Sequence, residues 1–189
     1  RWSSAARTAA PTDFVVLGKL FGGQAPAYAW AGIAMIIAGM AYKIAAAPFH
    51  LWAPDVYEGA PSTISGYLAT ASKSAAFVVI LRIALSVLPQ AQAVWLPGVV
   101  GLAVSTMTLG NLAALVQTNI KRLLAYSGVA QAGFILIAVA AGRGTGTFAM
   151  GLYVLLYVLA NLGAFLVINA VSEDSDDFDL SKYNGLSRR

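Results

Sequence analysis

Three stretches of this chain run without a charged residue for at least the length needed to cross a membrane: 94–117, 123–142 and 145–171, of 24, 20 and 27 residues. About 20 apolar residues in a helix cross roughly 30 Å of hydrocarbon. At this span length only a helix satisfies its own backbone in lipid. Two further stretches are nearly as clean, since 28–47 holds only Lys43 and 64–81 only Lys73. Of the 189 residues 59% are hydrophobic and 11% charged, against roughly 25% charged in soluble domains. A soluble fold could not cover that much apolar surface. The pattern predicts an all-α polytopic membrane protein. Its expected parts are a loop over 1–26, five crossings at about 27–58 (broken), 62–88, 94–117, 121–142 and 146–171, and a polar loop or tail over 172–189.

The absence of cysteine and the single histidine exclude disulfides, thiolate zinc sites, iron–sulfur clusters, cysteine nucleophiles and His-rich metal sites in this sequence. The net charge of +4 is scattered between apolar runs, so it gives no nucleic-acid signal. No Gly-rich dinucleotide loop follows a strand pattern. The chain opens on Arg1 rather than Met and has no apolar leader of its own, the look of an internal portion of a longer chain. Lys121, Arg122, Lys182, Arg188 and Arg189 fall on one side of the expected crossings, and Arg143, Arg1, Arg7 and Lys19 on the other. Charges close to helix ends favour a cytoplasmic 172–189.

The ionisable residues inside the apolar runs carry the chemistry. Lys73 follows Pro61 by about 18 Å of helix, which puts it near mid-bilayer. A charge there costs at least about 2.5–3.5 kcal/mol. It is either a structural lysine paired in the interior or a proton carrier, since a desolvated lysine exchanges its proton near neutral pH when a partner charge moves. Lys43 stands one turn before Pro48, and Pro48 and Pro54 should break the crossing. A break frees carbonyls and amides at mid-depth, a device that transporters use to build ion sites. His50 follows the break and is either hydrogen-bonded structure or a relay. Asp55 and Glu58 share a face of the second half-helix, as interfacial solvated acids or as a proton-collecting mouth. Thr106, Thr108, Asn111, Ser127, Gln131, Asn161 and Asn169 fit helix–helix hydrogen bonding or the lining of a water chain. The five carboxylates between 173 and 179 read as a solvated linker.

From Lys43 to Pro61 the chain reads KIAAAPFHLWAPDVYEGAP, which resembles the K-x4-PFHLWxPDVYxGAP signature of the subunit N family of bacterial NADH-quinone oxidoreductase (respiratory complex I). Residues 69–73 resemble the ATASK helix of that family, 119–127 its NIKRLLAYSS stretch, and 179–189 its polar approach to the next helix.

The resemblance implies an antiporter-like helix bundle with one discontinuous transmembrane helix. It implies a proton-translocating subunit with Lys43, Lys73 and His50 on the path. Ser127, Gln131, Asp55 and Glu58 would line the water path or the entry. It also implies a glutamate upstream of this chain, paired with Lys43, and a lysine downstream of it. Such a subunit belongs to an NADH:quinone oxidoreductase without holding a redox centre. FMN, iron–sulfur clusters and quinone are then expected in partner subunits. The partners would be the antiporter-like subunit M, the small subunits K and J, and the lipid of a bacterial plasma membrane, with no nucleic acid. Relatives often carry histidine where Gln131 stands; glutamine cannot be charged but can still order water. A subunit of an Mrp-type Na+/H+ antiporter shares the broken helix and is the alternative. A sodium site asks for carboxylate and carbonyl oxygens, whereas the charges inside these runs are lysines.

Overall fold

The computed structural model describes residues 27–86, 89, 92–172 and 178–185. The expected loop over 1–26 and most of the acidic run lie outside the described residues. Within them the chain is helical, with one isolated bridge between Asn119 and Asp179. The helices are α1 (Ala27–Lys43), α2 (Trp52–Gly59), α3 (Ser62–Tyr67), α4 (Lys73–Ser86), α5 (Gln92–Leu115), α6 (Ile120–Ala140) and α7 (Thr145–Val171). A π-helical turn, Leu68–Ser72, joins α3 to α4, and a short 3-10 helix, Leu180–Tyr183, closes the described chain.

Four rods are long and apolar enough to cross a membrane: Ser62–Ser86, Trp95–Leu115, Ile120–Ala140 and Thr145–Val171. At 1.5 Å per residue the 27 residues of α7 reach roughly 40 Å. The run before them is discontinuous. It stops at Lys43 and resumes at Trp52, and among the described residues neither half reaches the roughly 20 residues of a full crossing. Of the two prolines expected to break it, only Pro48 lies in the break. Pro54 stands in the first turn of α2, where its missing N–H has no partner to lose.

Small residues set the packing. A Cβ on Gly110 of α5 would stand 2.5 Å from the Ala130 amide nitrogen of α6. A Cβ on Gly133 of α6 would stand 2.8 Å from the Met107 nitrogen and the Ala103 oxygen of α5. The two backbones therefore touch, as membrane helices do where small residues face each other.

Among the described residues two larger apolar clusters and one small one form the interior. The larger two gather Ile44, Phe77, Ile135, Val139 and Met150, and Tyr57, Ala69, Ala125, Phe165 and Ile168; the small one is Ala45, Ala53 and Val129. Outward faces such as Leu152, Leu155, Leu159 and Leu166 of α7 are exposed, which suits contact with lipid or with further helices.

Overpacking a close backbone contact costs about 1–3 kcal/mol. Gly133→Val is expected to lower the folded amount of the protein in membranes several-fold. Gly101→Ala, where a Cβ meets nothing within 4 Å, is expected to leave it unchanged. Immunoblots of purified membranes check both.

Candidate functional site

The broken crossing is stitched by specific groups. After Lys43 the Ile44 amide donates to the Met40 carbonyl at 3.0 Å and the Ala46 amide to the Ala41 carbonyl at 2.8 Å. Ala45 takes a φ of 58°, and the Ala47–Pro48 peptide is cis. Ala47 is the last amide before Pro48, and it donates to Thr106 Oγ1 of α5 at 3.0 Å. The Thr106 hydroxyl donates to its own helix, at the Leu102 carbonyl, at 2.5 Å. The Trp52 indole donates to the Tyr42 carbonyl at 2.9 Å, so the first residues of α2 satisfy the last turn of α1. Residues 44 to 47 are no more than 2% exposed. Buried backbone without water must find such partners.

Lys73 opens α4 directly after the π turn. Ala69 and Phe77, each four residues away, belong to the two larger apolar clusters, so Lys73 also faces inward and is 1% exposed. Its Nζ stands 5.6 Å from the Tyr57 ring centroid of α2. A Cβ on Gly128 of α6 would come within 3.1 Å of that Nζ and 3.3 Å of the Tyr157 hydroxyl of α7. Gly128 thus leaves the room that the ammonium occupies. The Tyr157 hydroxyl donates to the Ala69 carbonyl inside the π turn at 2.9 Å. Among the described residues, Lys73 Nζ and the Tyr57 hydroxyl have no hydrogen-bond partner.

Lys43 is placed differently. It ends α1 on an exposed face with Tyr42, so of the two lysines inside the apolar runs Lys73 is buried and Lys43 is not. Among the described residues Trp52 of α2 packs on Tyr42 there, ring centroids 5.6 Å apart. His50 is half-buried, its ring edge-on to Tyr126 at 6.3 Å and 61°.

Asp55 and Glu58 are exposed and ion-paired with one arginine. Arg122 Nη1 lies 2.7 Å from Asp55 Oδ1 and 2.7 Å from Glu58 Oε2. Asn119 Nδ2 donates to Glu58 Oε1 at 3.2 Å. Asn119 also caps α6, its side chain accepting from the Lys121 and Arg122 amides. The acids therefore tether α2 to the start of α6, a partnership hidden from the sequence by more than sixty residues of separation.

Lys121 was legible only as a loop charge. It is 2% exposed, donates to the Ala60 carbonyl at 2.7 Å and the Glu58 carbonyl at 3.4 Å, and lies 3.7 Å from the centroid of the Phe178 ring. It serves as a cationic C-cap for α2. The chain after the acidic run folds back to cover it. The Ile120 amide donates to the Phe178 carbonyl at 2.9 Å and the Leu180 amide to the Thr118 carbonyl at 2.8 Å. Asp179 caps the 3-10 helix. The Ser181 hydroxyl and amide hold the Asp179 carboxyl below its usual range.

Ser127 and Gln131 line a cavity of about 310 Å³ between α6 and α7, with Tyr153, Tyr157 and Asn161. Tyr153 donates its hydroxyl to Gln131 Oε1. The other polar residues divide. Thr108, Asn111 and Asn161 bond carbonyls one turn back on their own helices, whereas Thr106 and Gln131 reach across to another element.

Over residues 7–189 the chain matches the family described as NADH:quinone oxidoreductase/Mrp antiporter, TM. The chain belongs to that family. It is 46% identical over 158 residues to NADH-quinone oxidoreductase subunit N of Moorella thermoacetica, covering 84% of this chain and 33% of that one. It is 51% identical over 145 residues to subunit N 2 of Solibacter usitatus, covering 74% and 29%. It also superposes on a chain of respiratory complex I from Thermus thermophilus with bound aureothin, at a TM-score of 0.72 and 35% identity, over 93% of this chain and 40% of that one. The chain thus spans about a third of the length of these curated relatives.

The two basic residues at the start of α6 should separate by magnitude. Lys121→Ala removes a buried ammonium from carbonyls that nothing else caps so closely, and is expected to destabilise the bundle by about 2 kcal/mol. Arg122→Ala breaks an exposed pair and is expected to cost at most about 1 kcal/mol. Unfolding midpoints of the detergent-solubilised protein compare them.

Proposed function

We propose that this chain is part of a proton-translocating, non-redox membrane subunit of an NADH:quinone oxidoreductase, in which Lys43 and Lys73 carry protons and His50 lies between them on the path. The observation that carries this reading is the enclosure of Lys73. An ammonium with no carboxylate beside it among the described residues, held over Tyr57 of the half-helix beyond the break, is unfavourable as mere scaffolding. It is well suited to a group whose proton must leave when charges nearby change. The exposed end of α1 fits a Lys43 that meets its counter-charge on a helix outside the chain described here. The subunit N names of the relatives support the coupling to NADH and quinone.

Gln131, Ser127 and the tyrosines at their cavity would order water for the path. Asp55 and Glu58, held by Arg122, would act at the entry only when that pair opens. Flavin, iron–sulfur clusters and quinone would then sit in other subunits. The antiporter-like subunit M and the small subunits K and J are the proposed neighbours, in a bacterial plasma membrane with 172–189 facing the cytoplasm.

The test uses the full-length subunit in the assembled complex, in membrane vesicles, with the amount of complex measured separately. Lys43→Ala and Lys73→Ala are each expected to lower proton uptake and coupled quinone reduction at least about tenfold, the scale of losing a positioned proton carrier. Lys→Arg at either position keeps the charge but does not release it, and is expected to assemble yet pump poorly. Full pumping by Lys73→Arg would remove Lys73 as a carrier. Proton movement that follows a sodium gradient without NADH would favour the antiporter alternative.

A further inference from the structure

We infer that Thr106 is a positioning residue for the proton path, pinning the broken crossing next to Lys43 from the neighbouring helix α5. The inference rests on the reading of Lys43 as a proton carrier and goes beyond it to the group that holds Lys43's end of the break in place.

The geometry leaves few alternatives for the Ala47 amide. A helix would have sent that N–H to the carbonyl four residues back, but the chain has turned at Ala45, where φ is 58°. The next residue, Pro48, has no N–H to offer. Ala47 is 2% exposed and Thr106 0% exposed, so the amide has no surface from which to reach water. Its partner is the Thr106 oxygen at 3.0 Å.

The hydroxyl is used on both sides. It donates to the Leu102 carbonyl at 2.5 Å, which fixes its rotor and aims a lone pair at the break. Leu102 belongs to a regular helix, so its carbonyl keeps a backbone partner whatever residue stands at 106. Loss of the hydroxyl therefore falls on the break alone.

The element that carries the pin is rigid. Thr106 lies between Ala103 and Met107, whose backbone atoms leave no room for a Cβ on Gly133, and Gly110, where a Cβ would stand 2.5 Å from the Ala130 nitrogen. That stretch of α5 is pressed against α6 over consecutive turns. A hydroxyl on such a plank suits the tolerance of about 0.5 Å that a functional site asks of the groups that set its geometry. Thr106 need not touch the proton. It fixes the loop between Lys43 and His50, and so the distance over which a proton must hop.

The test compares Val, Ser and Cys at position 106 in the full-length subunit of the assembled complex, with Lys43→Ala measured alongside. Thr106→Val keeps shape and removes the acceptor. It is expected to lower protons taken up per NADH oxidised at least about fivefold, since a misplacement near 1 Å costs up to about a hundredfold, with the amount of complex unchanged. Thr106→Ser keeps the hydroxyl and is expected to pump like the parent.

If Thr106→Val fails to assemble, the comparison passes to Ser and Cys. Cysteine offers only a weak acceptor and should pump less than serine. Parental pumping by Thr106→Val, or equal pumping by Ser and Cys after failed assembly of Val, would overturn the inference while a defective Lys43→Ala leaves the proposed function standing. Parental pumping by Lys43→Ala would instead remove the reading on which the inference rests.

Discussion

Hydrocarbon supplies no hydrogen bonds, so a helix that stops halfway through a membrane must hand its loose amides and carbonyls to other protein groups. The arrangement of this chain follows from that requirement. The Ala47 amide goes to Thr106, the Tyr42 carbonyl to the Trp52 indole, and the carbonyls at the far end of α2 to Lys121. Each partner comes from a different place in the sequence. Together they convert a break that would otherwise unravel into a joint with a defined shape. The tight α5–α6 contact at Gly110 and Gly133 matters because it holds one side of that joint still.

The fold class was largely legible because it depends on one-dimensional quantities. Runs without charge, their lengths and a proline inside one of them are properties of the string, and the physics that reads them is the local demand of backbone in lipid. Pro48 marked the break correctly. Pro54 looked equivalent in the sequence but has a different role, because a proline's effect depends on whether it enters a helix or interrupts one.

The site was legible in part. A lysine amid apolar residues announces itself, and Lys73 is indeed enclosed. What encloses it did not show: Tyr57, Gly128 and Tyr157 come from three helices, and a tyrosine or glycine in an apolar run carries no mark of its neighbour. The ion pairs of Asp55 and Glu58 were hidden for the same reason. Their spacing puts them on one face, but nothing in it points to Arg122. Lys121 was the largest omission. A basic residue at the end of an apolar run looks like an interfacial anchor, and only the fold shows its ammonium under Phe178 on the end of α2.

The π turn at Leu68–Ser72 has a consequence for the helix it interrupts. Each residue of a regular helix advances the azimuth by about 100°, and a single wider turn absorbs an extra residue without lengthening the rod by much. Counted as regular helix, Lys73 falls seven residues after Gly66 and within about 20° of it, and both positions are buried. Within the widened turn the Ala69 carbonyl accepts from the Tyr157 hydroxyl of α7, so the backbone just ahead of the lysine is tied to another helix.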